Sequence, residues 1–334
     1  MTDAVQTLID QAMRDAGEVQ SFSAYAPSNI ALSKYWGKRG RALNLPLNSS
    51  LSISLAEWGS HTTVEPSQSG SDQVLLDGQP LPLTSGFACK ALAFADLFRG
   101  GQELPLMIST RNTIPTAAGL ASSASGFAAL TRALCGSFGL DLQAQDMSLI
   151  ARLGSGSATR SLWHGFVRWD KGVRDDGGDS HGVPLDLVWP EFRIAIVEVD
   201  TGPKLHSSRD GMNHTVDTSP LFLSWPEMAE RDCKTIEKAI NERDFETLGQ
   251  TAEANALAMH ATMQAARPAL TYLSDQSWVI LQRLWQARTD GLAAYATMDA
   301  GANIKLVFLK KAEADVLQAF PGARVICPFE WSKA

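Results

Sequence analysis

The order of its apolar patterns constrains this chain more than any other feature. Strand-like patterns crowd the first third and helical ones the last, with no strict alternation between them. Leu51-Ser-Ile-Ser-Leu55 alternates apolar and polar residues, as a half-buried strand does. Leu75–Leu83 sets Asp77-Gly78 between short apolar runs, a hairpin signal. Residues 105–114, Phe192–Val199, Ala293–Met298 and Ile304–Leu309 read as further strands. Helical spacing marks residues 2–17 through Val5, Leu8, Ile9, Ala12 and Met13. It recurs at Gly86–Phe98, in a segment ending near Gly136, and at Met147–Leu153, Pro226–Arg243, Phe245–Gln264 and Gln276–Ala287. Pro226 suits a first helical turn. A doubly wound sheet requires regular βα alternation, so this order predicts an α+β fold. A length of 334 residues suggests two domains, with a boundary near 185–195. The expected division is an N-terminal extension at 1–20, docked or frayed, then domains at 21–190 and 191–334.

Composition narrows the function classes. Hydrophobic residues at 45% and charged residues at 19% describe a globular chain. The net charge of −7 argues against nucleic acid and anionic membranes as partners. An anionic small molecule stays compatible, because a pocket can differ in sign from the surface. Cys89, Cys135, Cys233 and Cys327 form no CxxC and read as buried free thiols. With no long apolar run and no signal-like start, a reducing, cytoplasmic enzyme is expected. The six histidines show no metal-binding pairing, and no GxSxG elbow, Walker loop or strand-linked GxGxxG is present. No direct metal ligands among the protein side chains are expected.

Five loops could carry chemistry. Pro115–Gly126 is a run of small residues entering a helix, where free N–H groups and the helix dipole attract phosphate. Gly119 permits close backbone approach there, and Ser122 and Ser123 fall at the helix start. The same residues would also serve a tightly packed, serine-capped helix. Lys34-Tyr-Trp-Gly-Lys38 with Arg39 and Arg41 supplies four cations, suited to a polyphosphate or to a solvated basic surface. Gly154–Arg160 combines glycines, serines and an arginine fork, or makes a flexible turn. Lys204–Met212 is another polar stretch, with Ser207, Ser208 and Arg209, that could carry chemistry or form an exposed loop, and Lys171–Pro184 reads as a surface connection. Asp299, among small residues between two strand-like runs, could cap a turn or act as a base at a cleft edge. Separate Gly-, Ser-, Lys- and Arg-rich loops on a rigid scaffold commonly converge on one anionic ligand.

In order along the chain, five segments resemble the diphosphomevalonate decarboxylase family of the GHMP superfamily. They are Ala26–Lys38 with Leu45–Leu51, Asn112–Ala124, Gly154–Arg160, Ser207–Met212 and Met298–Asn303. The likeness spans about residues 22–310. Lys-Tyr-Trp-Gly-Lys and Met-Asp-Ala-Gly are particular to that branch, whereas the Pro-x-x-x-Gly-Leu-x-Ser-Ser loop is shared across the superfamily. The resemblance implies a two-domain GHMP kinase fold, with an N-terminal lobe like ribosomal protein S5 domain 2 and a ferredoxin-like C-terminal lobe. It also implies a cleft between the lobes and a cytoplasmic homodimer. The implied reaction uses Mg-ATP to convert 5-diphosphomevalonate to isopentenyl diphosphate, phosphate and carbon dioxide.

Carried over on the matching positions, Asp299 would take or orient the 3-hydroxyl proton, with Lys34 holding it ionised. Arg160 would grip the carboxylate that leaves. Tyr35, Lys38, Ser155, Gly156, Ser157, Ser208, Arg209 and Met212 would bind the substrate. Gly119, Ser122 and Ser123 would hold the ATP phosphates, with Asn112 near the nucleotide. Ala302 stands where the family usually has Pro, Thr159 replaces a common Cys, and the N-terminal extension is longer than usual. A decarboxylase of 5-phosphomevalonate, a mevalonate or phosphomevalonate kinase, and a non-catalytic nucleotide sensor are the competing readings.

Overall fold

The structure is a computed structural model that describes residues 4–15, 17–114, 123–199 and 206–331. The N-terminal lobe begins with helix α1 (Ala4–Ala12), followed by strand β1 (Phe22–Ser33). A short ribbon, β2 (Lys38–Gly40) and β3 (Leu45–Pro46), leads to the long strand β4 (Ser50–Pro66). Next come β5 (Gln73–Leu76), β6 (Gln79–Pro80), α2 (Gly86–Arg99), β7 (Leu106–Asn112), α3 (Ser123–Ser137) and α4 (Ala144–Gly154). A 3-10 turn, Gly156–Arg160, precedes β8 (Phe166–Trp169) and β9 (Gly182–Pro184). The sheet order is β6-β5-β7-β4-β8-β9, with β1 also paired to β4. The expected Asp77-Gly78 hairpin is present, with both residues at positive φ (51° and 78°).

Strand β4 is long enough to serve three partners: β1 along its length, β7 at 60–66 and β8 at 50–53. Its pairing with β1 slips between Pro27↔Gly59 and Asn29↔Ser54, where Ala56 adopts a φ of 51°. This bulge bends the strand so that its two halves can face different cores. Gly59 is required beside it, because a Cβ there would lie 2.2 Å from the Ala26 carbonyl oxygen. The alternation at 51–55 is real, but the strand is buried on both faces. Leu51, Ile53 and Leu55 enter the core, while Ser50, Ser52 and Ser54 are covered on the other side. Ser50 and Ser54 hydrogen bond to Arg160 and to the Gly165 N–H.

The C-terminal lobe contains β10 (Phe192–Val197), α5 (Ser208–Thr218), α6 (Trp225–Glu242), α7 (Phe245–Gln264), α8 (Asp275–Thr289), β11 (Ala294–Thr297), β12 (Ile304–Leu309), α9 (Glu313–Ala319) and β13 (Arg324–Ile326). Its antiparallel sheet runs β11-β12-β10-β13. The fold is thus α+β in two domains. Ser207 caps α5 by accepting the Asp210 N–H, so part of the polar stretch that could form an exposed loop is helical. The 171–184 segment is also tied down: Arg152 donates to the carbonyls of Gly177 and Ser180.

One hydrophobic core lies among α1–α4 and the first sheet. Another crosses between lobes, joining Leu51 and Ile53 to Ile194, Ile236 and Leu248. Among the described residues, no helix is long and apolar enough to cross a membrane.

The N-terminal extension is docked, with Val5 and Ile9 fully buried in the first core. Ile9→Ala is therefore expected to lower stability by about 2–5 kcal/mol in urea unfolding, through lost apolar burial and the cavity left behind. A change under about 0.5 kcal/mol would show that α1 adds no core.

Candidate active site

Helix α7 brings the ends of two strands together. The Asn255 side chain accepts the Lys34 backbone N–H at 2.8 Å, just after β1. Two residues earlier, Glu253 accepts the Ala296 N–H of β11 at 2.7 Å and is paired with Arg288 of α8. Thr297 Oγ1 donates to the Ala31 carbonyl at 3.0 Å. These bonds place Lys34, at the end of β1, beside Asp299, in the turn after β11.

Lys34 Nζ lies 2.8 Å from Asp299 Oδ1 and also donates to the Ala31 carbonyl at 2.8 Å. The lysine is 2% exposed, whereas the aspartate is 38% exposed and open to a cleft. Burial drives the Lys34 pKa down to about 8, although Asp299 pulls it upward. Lys305, absent from the sequence reading, lies 3.5 Å from Asp299 Oδ2. His260 of α7 is buried beneath the pair, and desolvation with repulsion from Lys34 lowers its pKa to about 4, leaving it neutral at physiological pH.

The cleft has a volume of about 480 Å³, within the usual range for a small-ligand site. It gathers Lys34, Tyr35, Lys38, Ser123, Ser155, Gly156, Ser157, Arg160, Ser208, Arg209, Met212 and Asp299 from the sequence reading. Among the described residues, its wall holds six Lys or Arg side chains and one carboxylate. Arg160 is 2% exposed and donates to Ser50 Oγ at 2.6 Å. Among the described residues, its Nε and the Tyr35 hydroxyl are buried without hydrogen-bond partners, an arrangement that a polar ligand would satisfy. Desolvation lowers the Arg160 pKa to about 10, so the guanidinium stays charged at neutral pH. Burial raises that of Tyr35, so its phenol remains a donor.

Gly156 permits close packing, since a Cβ would meet the Tyr35 ring at 2.7 Å and Trp169 at 2.9 Å. Lys38 is held by Asn44 Oδ1 at 2.6 Å, while Asn44 donates to the Arg152 and Leu153 carbonyls at the end of α4. Burial, followed by repulsion from Arg209 and Arg41, lowers the Lys38 pKa to about 8. The four-cation stretch therefore divides. Lys34 and Lys38 enter the cleft, whereas Arg39 bonds to the Arg174 carbonyl and Arg41 pairs with Asp217 at 2.6 Å.

Ser123 opens α3, and its hydroxyl accepts from Ser155 at 3.4 Å. Gly119 and Ser122 lie outside the described residues. Asn112 does not line the cleft; its side chain accepts from Ser60 at 2.8 Å, and Ser60 also bonds to Ser125. Phe87 and Lys90 of α2 do line it, as does Met259 of α7. Local sequence gave no signal for these three, which reach the cleft only through helix packing. Lys305 carried a fainter signal as a lysine in an otherwise apolar strand.

Residues 26–182 match the diphosphomevalonate decarboxylase-like N-terminal domain, and residues 194–327 the mevalonate 5-diphosphate decarboxylase C-terminal domain. The chain belongs to the diphosphomevalonate decarboxylase family. The Aspergillus fumigatus diphosphomevalonate decarboxylase is 39% identical, over 86% of this chain and 76% of the relative. The Saccharomyces cerevisiae enzyme is 36% identical, over 88% and 79% respectively. The Staphylococcus aureus mevalonate diphosphate decarboxylase superposes with a TM-score of 0.87 at 34% identity, covering 92% of this chain and 96% of that one. A solved complex of MDDEF with MVAPP, AMPPCP and magnesium gives a TM-score of 0.85 at 37% identity, covering 93% and 98%. The family's two-domain GHMP-type architecture is therefore the fold of this chain.

In the ligand-free protein, NMR titration of isotope-labelled lysine is expected to show two side chains with midpoints of about 8. Lys34→Arg and Lys38→Arg should each remove one of them. Midpoints above about 10, the ordinary lysine range, would show that burial does not weaken these ammoniums.

Proposed function

We propose that this protein catalyses the ATP-dependent decarboxylation of 5-diphosphomevalonate to isopentenyl diphosphate, with release of ADP, phosphate and carbon dioxide. The observation that carries this reading is the Lys34–Asp299 pair, 2.8 Å apart, beside buried Arg160 in a cation-rich cleft. Family membership supports it independently.

Asp299 receives or orients the proton of the tertiary 3-hydroxyl as that oxygen attacks the γ-phosphoryl group of ATP. The 3-phosphate then departs with the C3–O bonding electrons. The bond between C2 and the carboxyl carbon supplies the electrons of the new double bond, and carbon dioxide is released. Arg160 holds the C1 carboxylate with its fork until that bond breaks. Tyr35, Lys38, Ser155, Ser157, Ser208 and Arg209 bind the diphosphate, while Gly156 and Met212 shape its wall. The segment with Gly119 and Ser122, together with Ser123 at the start of α3, takes the ATP phosphates. Phosphoryl transfer depends on positioning and charge neutralisation, both of which such a site supplies.

Magnesium fits this donor set as a companion of the nucleotide, with the Ser123 and Ser155 hydroxyls available on the cleft wall. Among the described residues no group of three or more His, Cys, Asp or Glu could hold a metal ion; magnesium bound mainly through phosphates and water needs no such cage. When bound, it neutralises phosphate charge. We place the domain boundary near residue 190 and read the protein as a cytoplasmic homodimer. The four free cysteines suit a reducing compartment.

The deciding assay supplies Mg-ATP with mevalonate, 5-phosphomevalonate or 5-diphosphomevalonate and measures ADP and carbon dioxide separately. Both products are expected from 5-diphosphomevalonate. ADP alone would mean a kinase, and neither product from any of the three would exclude an enzyme of this class. Asp299→Asn should lower kcat by about 10²–10⁴-fold while Mg-ATP affinity stays within about threefold. Near-normal turnover would remove Asp299 from the proton transfer.

A further inference from the structure

Two lysines face the Asp299 carboxylate, one at each oxygen. Lys34 Nζ is 2.8 Å from Oδ1, and Lys305 Nζ is 3.5 Å from Oδ2. Lys305 is the second residue of β12 and pairs in register with Thr297, the last residue of β11. Cross-strand partners share a face, so the register sends its side chain toward the turn that carries Asp299. Lys305 is 2% exposed, lines the cleft, and donates to the Asn303 carbonyl at 3.3 Å. Burying an ammonium is strongly unfavourable unless a counter-charge and hydrogen bonds compensate for lost water. A lysine in this position therefore has a physical reason to be near Asp299, and a role that an apolar strand residue could not fill.

Among the described residues, the other charged or titratable groups near the pair include Arg160 on the 3-10 turn and His260 on α7, with Tyr35 after β1 and Cys233 on α6 acting in turn on Arg160. Asp299 is the acid among them. Lys34 gives it an insecure partner, because burial and like-charge repulsion from Lys305 and Arg160 weaken that ammonium's hold on its proton.

We propose that Lys305 is a positioning residue for the reaction, acting through Asp299 by holding its second oxygen while Lys34 holds the first. The proposal rests on the assignment of Asp299 as the group that meets the hydroxyl proton. Its two effects have opposite origins. Lys305 attracts the carboxylate and lowers its proton affinity, while it repels Lys34 and lowers that group's as well. Removing its charge should shift both titrations upward.

The test compares Lys305→Met, which keeps length and apolar bulk, with Lys305→Arg, which keeps charge. Carbon dioxide release is followed across pH, and Lys34 is titrated by NMR in the ligand-free proteins. Lys305→Met should lower kcat by about tenfold or more with the KM for Mg-ATP within about threefold, and raise the acid and alkaline limbs of kcat by about half to one pH unit. The Lys34 midpoint should rise by a similar amount, and Lys305→Arg should restore both limbs. A loss of kcat with unmoved limbs, not rescued by arginine, would mean a merely structural role and would overturn the proposal. So would a wild-type profile in Lys305→Met. Wild-type protein run in parallel separates the two claims: no carbon dioxide from it rejects the functional reading, while an unmoved Lys34 midpoint rejects the coupling to Lys305. If Lys305→Met fails to fold, Lys305→Gln takes its place with the same outcomes.

Discussion

The polar side chains of α7 do what the two sheets could not do for themselves. Asn255 binds the backbone after β1, Glu253 binds the backbone of β11, and the bonds at Lys34 and Ala296 are 2.8 and 2.7 Å long. Glu253 is itself held by Arg288 and by the Trp285 indole N–H. Asn255 in turn donates to Asp232 of α6. Because each buried polar group is held by another, moving one strand end relative to the other would leave several groups unsatisfied. The lysine and aspartate, 265 residues apart in sequence, meet with that precision because they follow the tethered strand ends.

Charge is arranged against the average of the chain. A protein of net charge −7 lines one cleft with six cations and a single carboxylate among its described residues. Crowding those cations under protein lowers the proton affinity of Lys34 and Lys38 and keeps His260 neutral. Anionic ligands restore part of what burial removed, so their binding should raise the pKa values of both lysines. The arginines of the same sequence stretch do not line the cleft, because Asp217 and backbone carbonyls already bind them, although Arg41 adds to the repulsion on Lys38.

Much of this was legible in the chain because pattern and chemistry agreed locally. Helices α7 and α8 and strand β12 fall within one or two residues of their apolar patterns. The Asp77-Gly78 turn needs positive φ at two positions, and its residues announce it. Other features were hidden. The serines of β4 look like a solvent face but are buried, with Ser50 held by Arg160 and Ser54 by the Gly165 N–H, contacts that no local pattern encodes. The polar stretch at 207–212 becomes the start of a helix because Ser207 caps it and Met212 is buried against a core.

Sequence alone determined the α+β class, the position of most regular elements and the kinds of residue able to bind phosphate and carboxylate. Periodicity and side-chain chemistry are local properties, and they survive any packing that buries the apolar face. Tertiary structure decided which of those residues share a cleft. It brought in Lys34 and Lys38, turned Arg39 and Arg41 outward, engaged Asn112 with Ser60, and supplied Lys305 and His260 around Asp299. Those assignments depend on register and burial across hundreds of residues. A pKa or an ion pair is set by what lies within a few ångströms, and only the folded chain fixes those neighbours.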